Sequence, residues 1–272
     1  MFKSICSSIG VIALLIIGSP TSTVAQKKRP NRRGELYFSW GYNTEWYTRS
    51  TLHIWQPELG NNYKFKHIKG EDHKGWDGQL FTKPLTIPQY NYRLGYFFNK
   101  KKGLAIEINF DHTKFIFSNQ DASLKGTLGN KPVDTTIAFN EANGFFYYLN
   151  NGANFLLFNI VKRKELYHSH SENVKIDFLG KAGIGPVIPH VENSLFGQKN
   201  APKFQFGGWN VGLEGAVRGT FYKTVYLEFA NKVDYARYSN LKVYKGYASH
   251  YFGTYEMILS LGLTFPAGHK IK

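Results

Sequence analysis

The 272-residue chain has a single cysteine and two methionines. That cysteine, Cys6, stands ahead of an apolar run over residues 9–18 that follows Lys3, and Thr23, Val24 and Ala25 supply small residues before Gln26. A short positive region, an apolar region and a small-residue cleavage site are the parts of a secretory signal peptide, which is too short to span a membrane as a helix. The expected signal covers residues 1–25. Cys6 is not placed as a lipoprotein cysteine would be, because it precedes the apolar region. It leaves with the signal, so the expected mature chain can form neither disulfides nor cysteine-held metal sites. Acidic residues are also few, 19 against 34 Lys and Arg, a formal charge of +15, or +14 (15 − 1) once Lys3 is removed. After residue 25 no segment approaches the roughly 18 consecutive apolar residues of a transmembrane helix. Export argues against nucleic acid as the partner of so basic a chain. The basic run Gln26 to Arg33 reads as a solvated tail, with anionic lipid or phosphate as its alternative partners.

Aromatic residues are abundant, with 22 Phe and 18 Tyr. They recur with period two, the repeat of a strand with two unlike faces. The last such run, 249–265, puts Tyr251, Tyr255, Met257, Leu259, Leu261, Leu263 and Phe265 on one face, with Glu256 and Ser260 on the other. A soluble strand typically has five or six residues, whereas a tilted membrane-spanning strand needs about 9–11. Seven further alternating segments precede it: 35–47, 87–98, 104–117, 144–162, 174–191, 206–222 and 225–237. Asn151-Gly152 is a hairpin signal. A hairpin there would make nine strands, so a bend within one strand is preferred, because single-chain bacterial barrels have even strand numbers. Connections alternate between short (99–103, 162–173, 222–224) and long (51–86, 119–140, 192–205, 238–248). The expected fold is all-β: an eight-stranded antiparallel up-and-down transmembrane β-barrel over residues 34–265, with a basic tail at 26–33 and a C-terminal tail at 266–272. Short periplasmic turns, long external loops and periplasmic termini belong to that architecture. A soluble lipocalin-like barrel also alternates, but it would turn the charged face to water and the aromatic face inward.

The signal peptide, the eight strands, the loop rhythm and the aromatic-ended last strand resemble the small OmpA/OmpW-type outer-membrane barrels of Gram-negative bacteria. The resemblance covers residues 34–265 and is architectural. It implies a cell-envelope protein in the outer membrane, a monomer in contact with outer-membrane lipid and folded by the barrel assembly machinery. The seven residues after Phe265 depart from the usual aromatic end that this machinery reads.

Arg93, Glu107, Asp111, Lys181, Glu214, Arg218, Glu228 and Glu256 share the inward parity. An eight-stranded barrel is just wide enough for side chains to fill, and charges enclosed there must pair. A satisfied polar plug is the expected reading; a narrow channel is the alternative. A lipid A-modifying acyl enzyme is a second alternative, as such activities occur on this scaffold. It needs a serine, a histidine and a carboxylate in contact. Ser249 and His250 are adjacent and point to opposite faces, so His190, with Glu192, would have to reach Ser249. His168 and His170 fall at the periplasmic end. His53, His67 and His73, with Glu71 and Asp72, read as solvated loop residues rather than a metal site, and no cofactor is expected. Tyr63, Lys64, Lys66, Lys69, Lys74 and Trp76 form a basic, aromatic candidate surface for lipopolysaccharide or other anionic glycans. The expected role is structural or surface-binding.

Overall fold

The computed structural model describes residues 32–72 and 89–270. Eight long strands form its body: β1 (Arg32–Tyr47), β2 (Tyr90–Asn99), β3 (Leu104–Asp111), β4 (Phe155–His168), β5 (Val174–Pro186), β6 (Gly208–Phe221), β7 (Val225–Val243) and β8 (Gly246–Lys270). Each pairs antiparallel with the next, and β8 returns to pair with β1 from Arg32↔Lys270 to Tyr47↔Thr254. The closure leaves no edge in the body of the sheet, which a membrane demands because lipid offers no hydrogen bonds.

Parity sorts the side chains. The outward positions are mostly apolar, with Ile160 68% exposed and Leu213 60% exposed at mid-wall. At the end carrying the short turns, Phe98, Tyr222 and Phe265 are exposed. Toward the other end, rings touch along the wall: Trp40 with Tyr42, Trp46 with Tyr255, Trp209 with Tyr235, and Tyr235 with Tyr251. An apolar belt between two aromatic zones outside and charge inside is the pattern of a membrane-spanning barrel, the reverse of a lipocalin. Among the described residues no helix is long and apolar enough to cross a membrane.

The second end departs from the expected loops. The segment 51–86 is not a plain polar loop: Ser50–Gln56 and Asn61–Ile68 are strands. The segment 119–140 is a hairpin of Gln120–Leu128 and Lys131–Phe139. Its turn, Gly129-Asn130, has φ of 57° and 63° at the two central residues, the left-handed pair of a type I′ turn. The expected loop 238–248 shrinks to the turn Tyr244-Lys245, because β7 and β8 continue beyond the belt. These additional strands extend the barrel sheet in the order β8, Ser50–Gln56, Asn61–Ile68, Gln120–Leu128, Lys131–Phe139. A second sheet contains Gln198–Lys199, His190–Leu195, Phe146–Leu149, Phe115–Phe117 and Gly70–Glu71 in that order, and Lys203–Phe204 pairs with His190–Leu195. Together they make a folded head on one aromatic core.

Three expected strands are thereby divided. The segment 104–117 becomes β3 plus Phe115–Phe117, 144–162 becomes Phe146–Leu149 plus β4, and 174–191 becomes β5 plus the start of His190–Leu195. Asn151-Gly152 lies in the turn between a head strand and a barrel strand, so the ring still has eight members. The expected tails also shorten. Arg32 and Arg33 belong to β1, and Pro266 to Lys270 continue β8 beyond Phe265. The expected signal peptide lies outside the described residues.

Candidate functional site in the barrel lumen

The inward positions converge on a buried, charged interior. Arg93 on β2 is fully buried and lies 2.7 Å from Glu214 on β6, with Glu107 and Asp111 of β3 each at 3.9 Å. Lys181 on β5 stands among three carboxylates, Glu228 at 2.9 Å, Glu214 at 3.0 Å and Glu107 at 3.1 Å. Arg218 meets Glu228 at 2.6 Å. Its guanidinium lies between the rings of Tyr226 and Tyr37, 4.0 and 4.5 Å from their centroids. Tyr37 donates to Glu107 at 2.7 Å, and Asn159 donates to its other oxygen at 3.0 Å.

Glycine makes room for the two tyrosines. A Cβ at Gly95 would fall 2.1 Å from Tyr37, and one at Gly262 would fall 2.1 Å from Tyr226. Each glycine sits directly opposite its tyrosine on the neighbouring strand. The ring crosses the gap, covers the bare backbone and reaches the central arginine.

Nearer the head the balance of charge changes. Lys232 on β7 is held by Asp111 at 2.5 Å, Asp234 at 3.1 Å and Glu256 at 3.6 Å. Asn43 donates to Glu45 at 2.6 Å and approaches Glu256 at 3.5 Å. At the opposite end, Arg163 pairs with Glu35 and Lys175 with Asp177. All eight residues expected to face inward are buried in this lumen. Expectation from sequence omitted Lys232, Asp234, Asp177, Glu45 and Tyr37 from the set, although each lies on the inward parity of its strand. On β7 the expected set held Glu228 alone, whereas Lys232 is the cation among the upper carboxylates.

Above the charges the mouth is filled by rings. Phe115 stacks on Phe252 with centroids 4.1 Å apart and planes 2° from parallel. Tyr47 and Tyr238 pack on the same Phe252. His250, beyond the Trp46–Tyr255 belt, stacks on Tyr238 and contacts Phe115, Phe117 and Tyr147. Burial in this aromatic shell pushes its imidazole down to about 3.

The remaining candidates separate. The hydroxyl beside His250 belongs to Ser50, at 3.4 Å, not to Ser249, which pairs with His53 in the sheet register. His190 contacts Asn151 and Phe204. His168 pairs with Glu165 at the short-turn end. Among the described residues no group of three His, Cys, Asp or Glu could hold a metal. Of the candidate surface, Tyr63 is 0% exposed and belongs to the head core, so it cannot be a surface contact. The alternation that buries it runs through Asn61–Ile68, where Lys64 and Lys66 take the exposed positions. Lys69 is exposed and paired with Glu71 at 2.6 Å. Lys74, Trp76 and His73 lie outside the described residues.

Strand order, closure and the inside-out distribution of polarity define a small eight-stranded antiparallel membrane barrel, the architecture of the OmpA/OmpW-type proteins that the sequence resembles. No family model and no curated protein matches the chain. Among solved structures it is similar to the outer membrane protein OprG from Pseudomonas aeruginosa, at 9% identity over 88% of this chain and 99% of that chain, with a TM-score of 0.39. The outer membrane protein AlkL in lipid bilayers is similar at 9% identity over 94% and 99%, with a TM-score of 0.36. The attachment invasion locus protein Ail of Yersinia pestis, solved with the heparin analogue sucrose octasulfate, is similar at 14% identity over 86% and 99%, with a TM-score of 0.31.

Proposed function

We propose that the chain is an integral outer-membrane barrel of structural or surface-binding function, with a lumen closed to solutes. In this reading residues 1–25 are a cleaved signal, the short turns and both chain ends are periplasmic, and the head stands on the cell surface. The observation that carries it is the filled interior. Arg93 is ion-paired across the lumen, Lys181 and Arg218 pair with carboxylates on neighbouring strands, and stacked rings of the head occupy the space above them. Charges so enclosed are held by their partners, and removing them from those partners to admit a solute would leave unpaired charge in a buried interior.

The head supplies the binding surface. Lys64 stands directly opposite Lys125 in the strand register, with His53 on its other side. Like charges placed opposite one another repel unless an anion lies between them, and Asp134 at 2.8 Å from Lys125 offsets only one of the two. Lys66 extends the same face along its strand. Anionic glycan or lipopolysaccharide is the matching partner class, and the chain works as a monomer folded by the barrel assembly machinery.

Two measurements test the reading. In planar bilayers the folded protein should show no ion-conducting steps, and steady single-channel openings would replace this reading with a conduit. Binding of lipopolysaccharide to Lys64→Glu/Lys66→Glu should fall and lose its salt dependence. Unchanged, salt-insensitive binding removes the surface from the proposal while leaving the closed barrel.

A further inference from the structure

The outer wall has a gap in its apolar belt. Gly180 on β5 and Gly215 on β6 are direct partners in the sheet, and both stand on the outward parity. Two facing positions therefore carry no side chain. The same register row continues to Lys162 on β4 at one side and Asn231 on β7 at the other. The neighbouring rows carry side chains: Ile160, Ala182, Leu213 and Val233 on one side, and Phe178 and Val217 on the other. The result is an open trough of about 810 Å³ crossing four strands, within the roughly 300–1,000 Å³ range of small-ligand sites.

Its ends differ in chemistry. The ammonium of Lys162, at the short-turn side, donates to the carbonyl of Lys102 at 2.6 Å, in a turn that also carries Lys100 and Lys101. The other end is closed by Tyr255, whose hydroxyl donates to Asn231 at 2.5 Å. Three interstrand gaps of about 4.8 Å make a length of roughly 14 Å. That is close to half the roughly 30 Å hydrocarbon thickness, the reach of one acyl chain in one leaflet.

We infer that this trough is a binding site for an anionic glycerophospholipid, one acyl chain lying over Gly180 and Gly215 and the phosphate at Lys162. The inference rests on the membrane-barrel reading. An acyl chain fills the space that two absent side chains leave, and the basic end faces the leaflet at the short-turn side. A lipid of the opposite leaflet would present its phosphates at the Asn231–Tyr255 end, where the lining cation, Lys232, turns its ammonium into the lumen and is held by Asp111 and Asp234.

The test uses the full folded protein in maltoside micelles, titrated with dioleoyl phosphatidylglycerol or dioleoyl phosphatidylcholine and read by native mass spectrometry. Retention of one phosphatidylglycerol, with about a fivefold preference over phosphatidylcholine as one lysine near a lipid phosphate supplies, is expected. Gly180→Leu/Gly215→Leu should abolish that retention. A Cβ at Gly180 meets nothing within 4 Å, and one at Gly215 meets only Phe178 at 3.7 Å, so the variant should keep its heat-modifiable gel mobility. Lys162→Gln should retain lipid without the preference, and it decides the matter alone if the glycine variant does not fold. Equal retention in the glycine variant, no preference in the wild type, or a preference unchanged in Lys162→Gln overturns the proposal. Loss of heat-modifiable mobility in the wild type would instead overturn the membrane barrel itself.

Discussion

Arg218 and Glu228 stand directly opposite each other on β6 and β7, and two guanidinium nitrogens converge on one carboxylate oxygen at 2.6 Å. Tyr37 and Tyr226 cover the guanidinium, so the pair has no access to water. Removing Arg218 leaves buried Glu228 with Lys181, which Glu107 and Glu214 already share. Arg218→Met should destabilise the barrel by about 3–5 kcal/mol, whereas Arg218→Met/Glu228→Met should restore most of that loss, since a well-packed apolar pair can replace a buried ion pair at little cost. Urea-dependent unfolding in micelles reads both. A double variant as unstable as the single one would show that the pair itself, not its imbalance, holds the lumen.

Gly95 and Gly262 are required by the rings that cross them. Valine at either position collides with Tyr37 or Tyr226, and those rings are held by Glu107 and Arg218. Overpacking of this kind costs about 1–3 kcal/mol. The expected outcome is a lower urea midpoint for Gly95→Val and Gly262→Val, against no change for Gly180→Ala on the open outer wall. Equal midpoints for all three would mean that the tyrosines move aside freely.

The head should weaken in acid through His250. An imidazole in the unfolded chain titrates near 6.5, and in the head near 3 because burial disfavours the cation. The folded head therefore prefers the neutral ring. Its contribution is whole above about pH 6.5 and is lost as pH falls toward 3, by up to about 1.4 kcal/mol per pH unit. Near-ultraviolet circular dichroism between pH 7 and 4 should show the aromatic signal of the head decline. His250→Phe should flatten that response, and a variant that titrates like the wild type excludes His250 as its source.

Phe252 joins the head to the barrel mouth. It stacks on Phe115 and packs against Tyr47 and Tyr238. Phe252→Ala should cost about 3–5 kcal/mol through the cavity it opens. The damage should fall on the head: faster proteolysis within Ser50–Ile68 and Gln120–Phe139, with the barrel retaining its heat-modifiable mobility. Loss of both together would show that head and barrel fold as one unit.

Period-two alternation marked the eight wall strands and their outward and inward faces, although three of the segments ran on into strands of the head and the expected long connection 238–248 is a two-residue turn. The physical reason is local: a strand crossing lipid must present apolar side chains at every second position over a length that soluble strands rarely reach. The inward set from Arg93 to Glu256 was legible for the same reason. What alternation along one strand does not contain is which strand faces which. That Lys181 serves three carboxylates, that Arg218 is sandwiched by Tyr37 and Tyr226, and that Lys232 anchors the upper acids were decided only when closure brought distant strands across the lumen. The head was hidden because its strands are short, interrupted by Gly60 and Asn130, and polar on their outer face, so Leu52, Ile54, Tyr63 and Phe65 read as scattered loop residues. Tertiary contact with Phe115, Phe139 and Tyr147 gives them one core and turns a presumed contact surface at Tyr63 inward. The trough over Gly180 and Gly215 likewise exists only in register, because two glycines 35 positions apart (215 − 180) become one gap when β5 pairs with β6.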